Sequence, residues 1–166
     1  MRIRRAVPSD TDDIRTVHLL AFPTAAEADL VEQLVLDGDA VISMVAVERG
    51  AIVGHILLSR MDVEADGRRL NAVGLAPVSV IPDLQRRGIG SALIVAAIAE
   101  ARRARSDIIF VLGDTGFYGR FGFDAATARP FASPYAGLHF QALLMNPAMP
   151  PVEAGAASYA PAFDAL

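Results

Sequence analysis

The sequence predicts one α/β domain built on a mixed, mostly antiparallel sheet of about seven strands with helices on both faces. Two stretches carry that prediction. Between residues 40 and 81, three β-rich segments follow one another through Arg49-Gly50 and Ala65-Asp66-Gly67, turn signals that join consecutive antiparallel strands. From Gly74 to Gly113 the order is strand, glycine-bearing loop, long amphipathic helix and apolar strand, which makes a right-handed crossover and a parallel pair. At 166 residues, 53% of them hydrophobic, the chain has enough apolar material for a single sizeable core and no run long enough to span a membrane.

Taken in order, residues 1–7 read as a first strand. Pro8-Ser9-Asp10, followed by Asp12 and Asp13, starts a helix, because proline suits early helical positions and carboxylates suit the electropositive end. Ile14, Val17, His18 and Ala21 then share one face. After Phe22-Pro23-Thr24 a second helix runs from Ala26 to Leu36, with Leu30, Val31, Leu34 and Val35 inward, and Asp37-Gly38-Asp39 stops it. Ala40–Glu48, Ala51–Val63 and Arg69–Ile81 are the antiparallel strands. Gly54-His55 inside the second predicts a bulge or a close backbone approach, and Pro77, which cannot donate to a ladder, predicts a bulge in the third.

Ile89–Ala104 is the long helix. Its apolar rows are Ile89, Leu93, Ala97 and Ile94, Ile98, Ala101, and Arg102, Arg103 and Arg105 suit its negative end. Asp107–Gly113 is apolar enough for a strand covered on both faces. Gly116 and Gly119 leave room only for a short helix, Phe121 and Phe123 pack under the sheet, and Leu138–Met145 is the last strand. Residues 147–166, rich in Pro, Ala and Gly, read as a docked or loose tail without catalytic content, so the chain divides into a domain 1–146 and a tail 147–166.

Composition narrows the function. A net charge of −4 with no lysine argues against broad nucleic-acid binding, which depends on clustered cations. An acidic body with one basic loop suits a small polyanionic cofactor and a cationic or amine partner. The absence of cysteine removes disulfides, thiolate zinc sites and a cysteine nucleophile. The histidines and carboxylates have no metal-ligand spacing, so no metal is expected. The basic start leads into a strand and not an apolar signal core, which makes the cytoplasm the expected compartment.

The chemistry concentrates in Gln85-Arg86-Arg87-Gly88-Ile89-Gly90-Ser91, at the entry to the long helix. The first amides of a helix lack intrahelical partners and sit at its electropositive end, which makes them an anion site. Gly88 and Gly90 let a bulky diphosphate approach the backbone, and Arg86 and Arg87 add charge. A dinucleotide fingerprint would need a third glycine where Leu93 stands, and a P-loop would need Gly-Lys-Ser/Thr, which is absent.

Gln85 to Gly90, placed after a strand, resembles the Gln/Arg-x-x-Gly-x-Gly/Ala pyrophosphate loop of the GCN5-related N-acetyltransferase (GNAT) family. Gly74-Leu-Ala-Pro-Val-Ser-Val-Ile-Pro82 is similar to the YhbS-like bacterial branch, and the resemblance covers roughly residues 1–145. It implies a GNAT-type sheet whose central parallel pair splays to admit a pantetheine arm. It also implies acetyl-CoA as co-substrate and direct acetyl transfer to a primary amine of a small molecule or peptide, and it allows a homodimer. The other function such a fold allows is a non-catalytic CoA-binding or regulatory module.

The same resemblance distributes roles. The amides from Arg86 to Ser91 would hold the diphosphate. The backbone of Val78, Ser79 and Val80 would pair with pantetheine, with an amide of Val78 or Ser79 serving the oxyanion. Tyr118, in Tyr118-Gly-Arg-Phe-Gly122-Phe123, matches the tyrosine that protonates the CoA sulfur. The acceptor would bind between the first two helices and the sheet, where Glu27 would attract the ammonium or relay its proton. The general base stays open among Glu27, His18 and His55, because each has a structural reading beside the functional one: a carboxylate at a helix start, or a core histidine. Arg120 is either a phosphate contact or a solvated cation, and Phe22, Phe131 and Tyr135 either line the acceptor pocket or belong to the core.

Overall fold

The structure, a computed structural model, describes residues 1–166. Its sheet has nine strands rather than about seven: β1 (Arg2–Arg5), β2 (Ala40–Glu48), β3 (Ala51–Ala65), β4 (Arg68–Arg69), β5 (Ala72–Val80), β6 (Ile108–Leu112), β7 (Phe131–Ala132), β8 (Phe140–Leu144) and β9 (Gly155–Ser158). The main path runs β1-β2-β3-β5-β6-β8, antiparallel throughout except for β5 beside β6. The extra strands are two to four residues long, too short to show a period of their own. No helix is long and apolar enough to cross a membrane.

The hairpin turns are fixed locally. Arg49 and Gly50, and again Asp66 and Gly67, all have positive φ, the turn geometry whose twist matches that of the flanking strands. At the chain start, the proline-led stretch Pro8–Asp10 forms a 3₁₀ turn ahead of α1 (Thr11–Ala21). The Val7 N–H donates to Asp10 Oδ2 (2.8 Å), and Arg4 donates to both Asp10 oxygens (2.7 and 3.0 Å). The helix α2 (Ala26–Leu36) follows, and α3 (Ile89–Arg103) makes the crossover. Two short helices, α4 (Thr115–Gly119) and α5 (Ala125–Ala128), follow β6.

The centre of the sheet carries the irregularity that Pro77 predicts. The register of β3 on β5 shifts between Ile56↔Val78 and Leu58↔Leu75, so Ala76 and Pro77 together stand opposite Leu57, joined by a cis peptide. On its other edge β5 pairs with β6 only from Ala72 to Gly74. From Leu75 to Val80 that edge has no strand beside it, and the two parallel strands part.

The helices clamp the sheet from both sides. On one face Leu93, Ile94 and Ala97 of α3 bury against Ile56, Leu58 and Val73. Gly54 permits the close approach: a Cβ there would lie 3.0 Å from the Ser79 carbonyl oxygen and 3.1 Å from Leu93 Cδ1. On the other face Ile14, Leu30, Val31 and Leu34 cover Val45 and Leu57. Val35, expected inward, is 58% exposed, because Leu30, Val31 and Leu34 fill the inward arc of α2 and Val35 falls on its rim. The chain after Asn146 is docked: β9 pairs antiparallel with Asp62–Ala65 of β3, β7 runs parallel to β9, and Phe163 closes the core under α1 and α2.

Candidate active site

The tip of α3 opens into a cavity of about 580 Å³. Gly88, just before the helix, has φ +83°, a conformation that a side chain would strain. At Gly90 an added Cβ would find only Val80 Cγ2, at 3.9 Å, so the space before the first amides is free. Those amides have no partner within the helix and lie at its electropositive end. The Gln85 side chain donates from Nε2 to the Val80 carbonyl (3.0 Å) and ties the loop to the end of β5.

Residues from five parts of the fold make the wall. Val78, Ser79 and Val80 come from the free edge of β5, Gln85 and Arg86 from the loop, and Gly88, Ile89, Gly90 and Ser91 from the helix entry. Ala21 and Phe22 close one side from the end of α1, and Phe117 and Arg120 close the other. Of the residues expected at the cofactor, only Arg87 stands off the wall, exposed. The Arg120 guanidinium stacks over Phe117 and Phe121, 4.9 and 5.6 Å from the ring centroids, with Nη2 3.5 Å from Ser91 Oγ. That places a cation across the mouth of the helix tip.

Tyr118 is half-buried and does not line the cavity itself; its neighbours Phe117 and Arg120 do. Its ring sits edge-on to Phe117 (5.0 Å) and Phe123 (5.9 Å) and presses on the end of β6, where a Cβ on Gly113 would come within 2.6 Å of it. Burial holds its phenol above the ordinary range. Glu27, in the first turn of α2, is half-buried and off the wall, and its Oε2 is buried without a hydrogen-bond partner. Among the acceptor-pocket candidates, Phe22 reaches the cavity and Phe131 is core against Phe110 (5.2 Å). Tyr135 packs edge-on against Tyr159 (5.5 Å).

Two features lie outside what spacing reveals. His18 and His55 are both fully buried and hydrogen-bonded to each other, Nε2 to Nδ1 at 2.8 Å, and His55 Nε2 is bonded to Ser43 Oγ at 2.8 Å. Burial lowers His18 to about 4; burial and the neighbouring imidazole lower His55 to about 3, partly offset by Asp10. Each histidine is visible in the sequence as a core residue, but no spacing rule pairs a helix residue with a strand residue 37 positions away. The second feature is Tyr159, whose ring covers Gly74 where β5 and β6 part: a Cβ on Gly74 would lie 2.6 Å from it. Burial raises its phenol too, and nothing in the composition of the C-terminal segment marks it.

Comparison with known proteins follows the same lines. A family model described as "Acetyltransferase (GNAT) domain" matches residues 2–126. The uncharacterized N-acetyltransferase YjhQ of Escherichia coli (strain K12) is 38% identical over 130 residues, 76% of this chain and 72% of that protein. A GNAT family acetyltransferase from Brucella melitensis, crystallised with acetyl-CoA, superposes with a TM-score of 0.79 at 34% identity over 98% of this chain and 97% of that one. YhbS of Escherichia coli, crystallised with CoA, superposes with a TM-score of 0.88 at 27% identity, covering 98% and 91%.

Proposed function

The chain belongs to the GNAT family of N-acetyltransferases, and from that premise we propose that it moves an acetyl group directly from acetyl-CoA to a primary amine of a small molecule or peptide. The observation that carries the proposal is the unobstructed tip of α3, opening beside the unpaired edge of β5 in one cavity. The helix amides and Arg86 hold the diphosphate, and Arg120 adds charge at the mouth. The pantetheine arm lies along Leu75–Val80 as an added strand would, with its amides bonded to free backbone groups. The acetyl-CoA and CoA bound to the Brucella and YhbS proteins support the donor.

The chemistry has three requirements. An amide of Val78 or Ser79 stabilises the oxyanion as the amine attacks the thioester carbon, a donor typically worth about 10²-fold or more in rate. Glu27, with one carboxylate oxygen buried and unpartnered, attracts the acceptor ammonium. As the C–S bond breaks, the Tyr118 hydroxyl gives its proton to the departing sulfur, forming CoA-SH. A phenol held above its ordinary range is still protonated at neutral pH and so available to donate.

Tyr118→Phe tests this reading, with acetyl-CoA binding followed by calorimetry and thiol release followed across a panel of amines. The variant is expected to bind acetyl-CoA as the wild type does and to lose about 10²-fold in kcat. Turnover at the wild-type rate would remove Tyr118 as the acid. A wild type that binds acetyl-CoA but releases no thiol with any amine would be a CoA-binding module instead.

A further inference from the structure

The face of the sheet under α1 carries a row of polar side chains in otherwise apolar surroundings. Ser43 of β2, His55 of β3 and His18 of α1 are joined by two hydrogen bonds of 2.8 Å each. Ser79 of β5 stands directly across the strands from His55. Two buried atoms beside this row have no partner, His18 Nδ1 and Ser79 Oγ. A buried polar atom without a partner is destabilising, so its persistence asks for a reason.

The two ends of the row open to different places. Ser79 lines the cavity at the tip of α3, and Phe22, stacked flat on the His18 ring (6.0 Å, 9°), lines it as well. Ser43, at the other end, lines a separate groove of about 650 Å³ formed with Thr11, Ile14 and Arg15 of α1 and with Val31 and Val35 of α2. The cavity thus meets the C-terminal end of α1 and the groove its N-terminal half, along a helix of 11 residues.

We propose that His18, His55 and Ser43 form a proton outlet that takes the proton lost by the acceptor amine at the cavity and discharges it into the groove. The proposal rests on the transferase reading above. Each neutral imidazole has one N–H and one lone pair. With the lone pair of His18 at Nδ1, its Nε2–H donates to His55 Nδ1, the His55 Nε2–H donates to Ser43 Oγ, and the Ser43 hydroxyl faces the groove. An ammonium nitrogen at the Ser79 end of the cavity, where Phe22 stacks on the His18 ring, would supply the donor that Ser79 Oγ and His18 Nδ1 lack.

The transfer balances. The ammonium N–H bond breaks and His18 Nδ1–H forms. His18 Nε2–H breaks as His55 Nδ1–H forms, and His55 Nε2–H breaks as a new bond forms to Ser43 Oγ, whose original proton leaves to water in the groove. Both rings end neutral in the opposite tautomer. Once the product has gone they reset as groove water returns a proton to Ser43 Oγ, the relay runs backwards, and the His18 Nδ1 proton leaves to water in the emptied cavity. Passage suits these rings better than storage, because burial makes each a weak base at neutral pH. The charged group facing His55 is Asp10, and its oxygens are already taken by Arg4 and the Val7 N–H, so it does not trap the proton.

Two amines test the outlet: propylamine, charged at pH 7, and hydroxylamine, already neutral there. In His55→Gln and Ser43→Ala proteins, each checked for wild-type melting, the ratio of propylamine to hydroxylamine acetylation is expected to fall at least roughly tenfold. A ratio unchanged in both variants overturns the proposal, whether the two rates fall together or stay put. Ring ¹⁵N spectra of histidine-labelled wild type provide the second measurement, with both rings expected neutral at pH 7 and protonated at Nε2. A proton on His18 Nδ1, or a doubly protonated ring, also overturns it. If the wild type acetylates no amine of the wider panel, the transferase reading fails, and the tautomers still decide the order of the row.

Discussion

Two imidazoles under α1 are neutral in the folded protein down to about pH 4 for His18 and about pH 3 for His55, whereas the unfolded chain protonates each near its ordinary 6.5. Between those limits the unfolded state binds more protons, so stability rises with pH. The contribution is fully present above pH 6.5 and is lost as pH falls toward 4. At pH 5 each ring accounts for about 2 kcal/mol of that loss. Asp10, held below the usual carboxylate range by Arg4, acts lower: its stabilisation is present above its unfolded value and disappears only as pH falls through its depressed folded value. Urea unfolding at pH 7.5 and pH 5.0 should therefore show the wild type losing several kcal/mol over a window that the His18→Gln/His55→Gln protein crosses almost unchanged. An equal loss in both proteins would place the acid sensitivity elsewhere.

The element proposed to hold the cofactor is the entry to α3. Gly90 leaves the space before the first amides open, with only Val80 Cγ2 near where a side chain would begin. Gly90→Val would put a branched side chain there while leaving the core row of Ile89, Leu93 and Ala97 intact. The variant is expected to melt within a few degrees of wild type without ligand and to lose most of the rise in melting temperature that CoA produces. A full CoA shift would mean that the diphosphate is gripped elsewhere. This element was legible in the sequence because its signals are local: glycines in the loop, a β-branched strand before it, an amphipathic helix after it. Pro77 likewise announced the bulge, since a missing donor in a central strand must be accommodated. What stayed hidden was partner-dependent. The strands β4, β7 and β9 exist only because β3 or β9 offers them an edge, and Val35 follows helical periodicity yet lies on the rim of its helix.

For the whole molecule, the open question in the sequence was what the last twenty residues do, since a stretch of Pro, Ala and Gly has no period from which docking can be read. In the fold they complete two cores. Ala157 packs with Met61, Val63 and Phe131 on one side, and Phe163 packs with Leu30, Leu34 and Leu57 on the other. Between them Tyr159 covers Gly74 and touches Phe163 ring to ring (4.9 Å), at the point where the parallel strands part. Removing a buried phenylalanine ring typically costs about 3–5 kcal/mol, a large share of the roughly 5–15 kcal/mol that holds a domain together. Phe163→Ala should thus lower unfolding free energy by about that amount with the cooperative transition kept. Truncation after Asn146 removes Phe163, Ala157 and the edge partner of β3 together, and should leave a chain without a single cooperative transition. Urea unfolding followed by circular dichroism separates the outcomes. A truncated chain that unfolds sharply and still gains stability from CoA would make the sheet, α1, α2 and α3 sufficient to hold the cavity open without the segment that now closes beneath it.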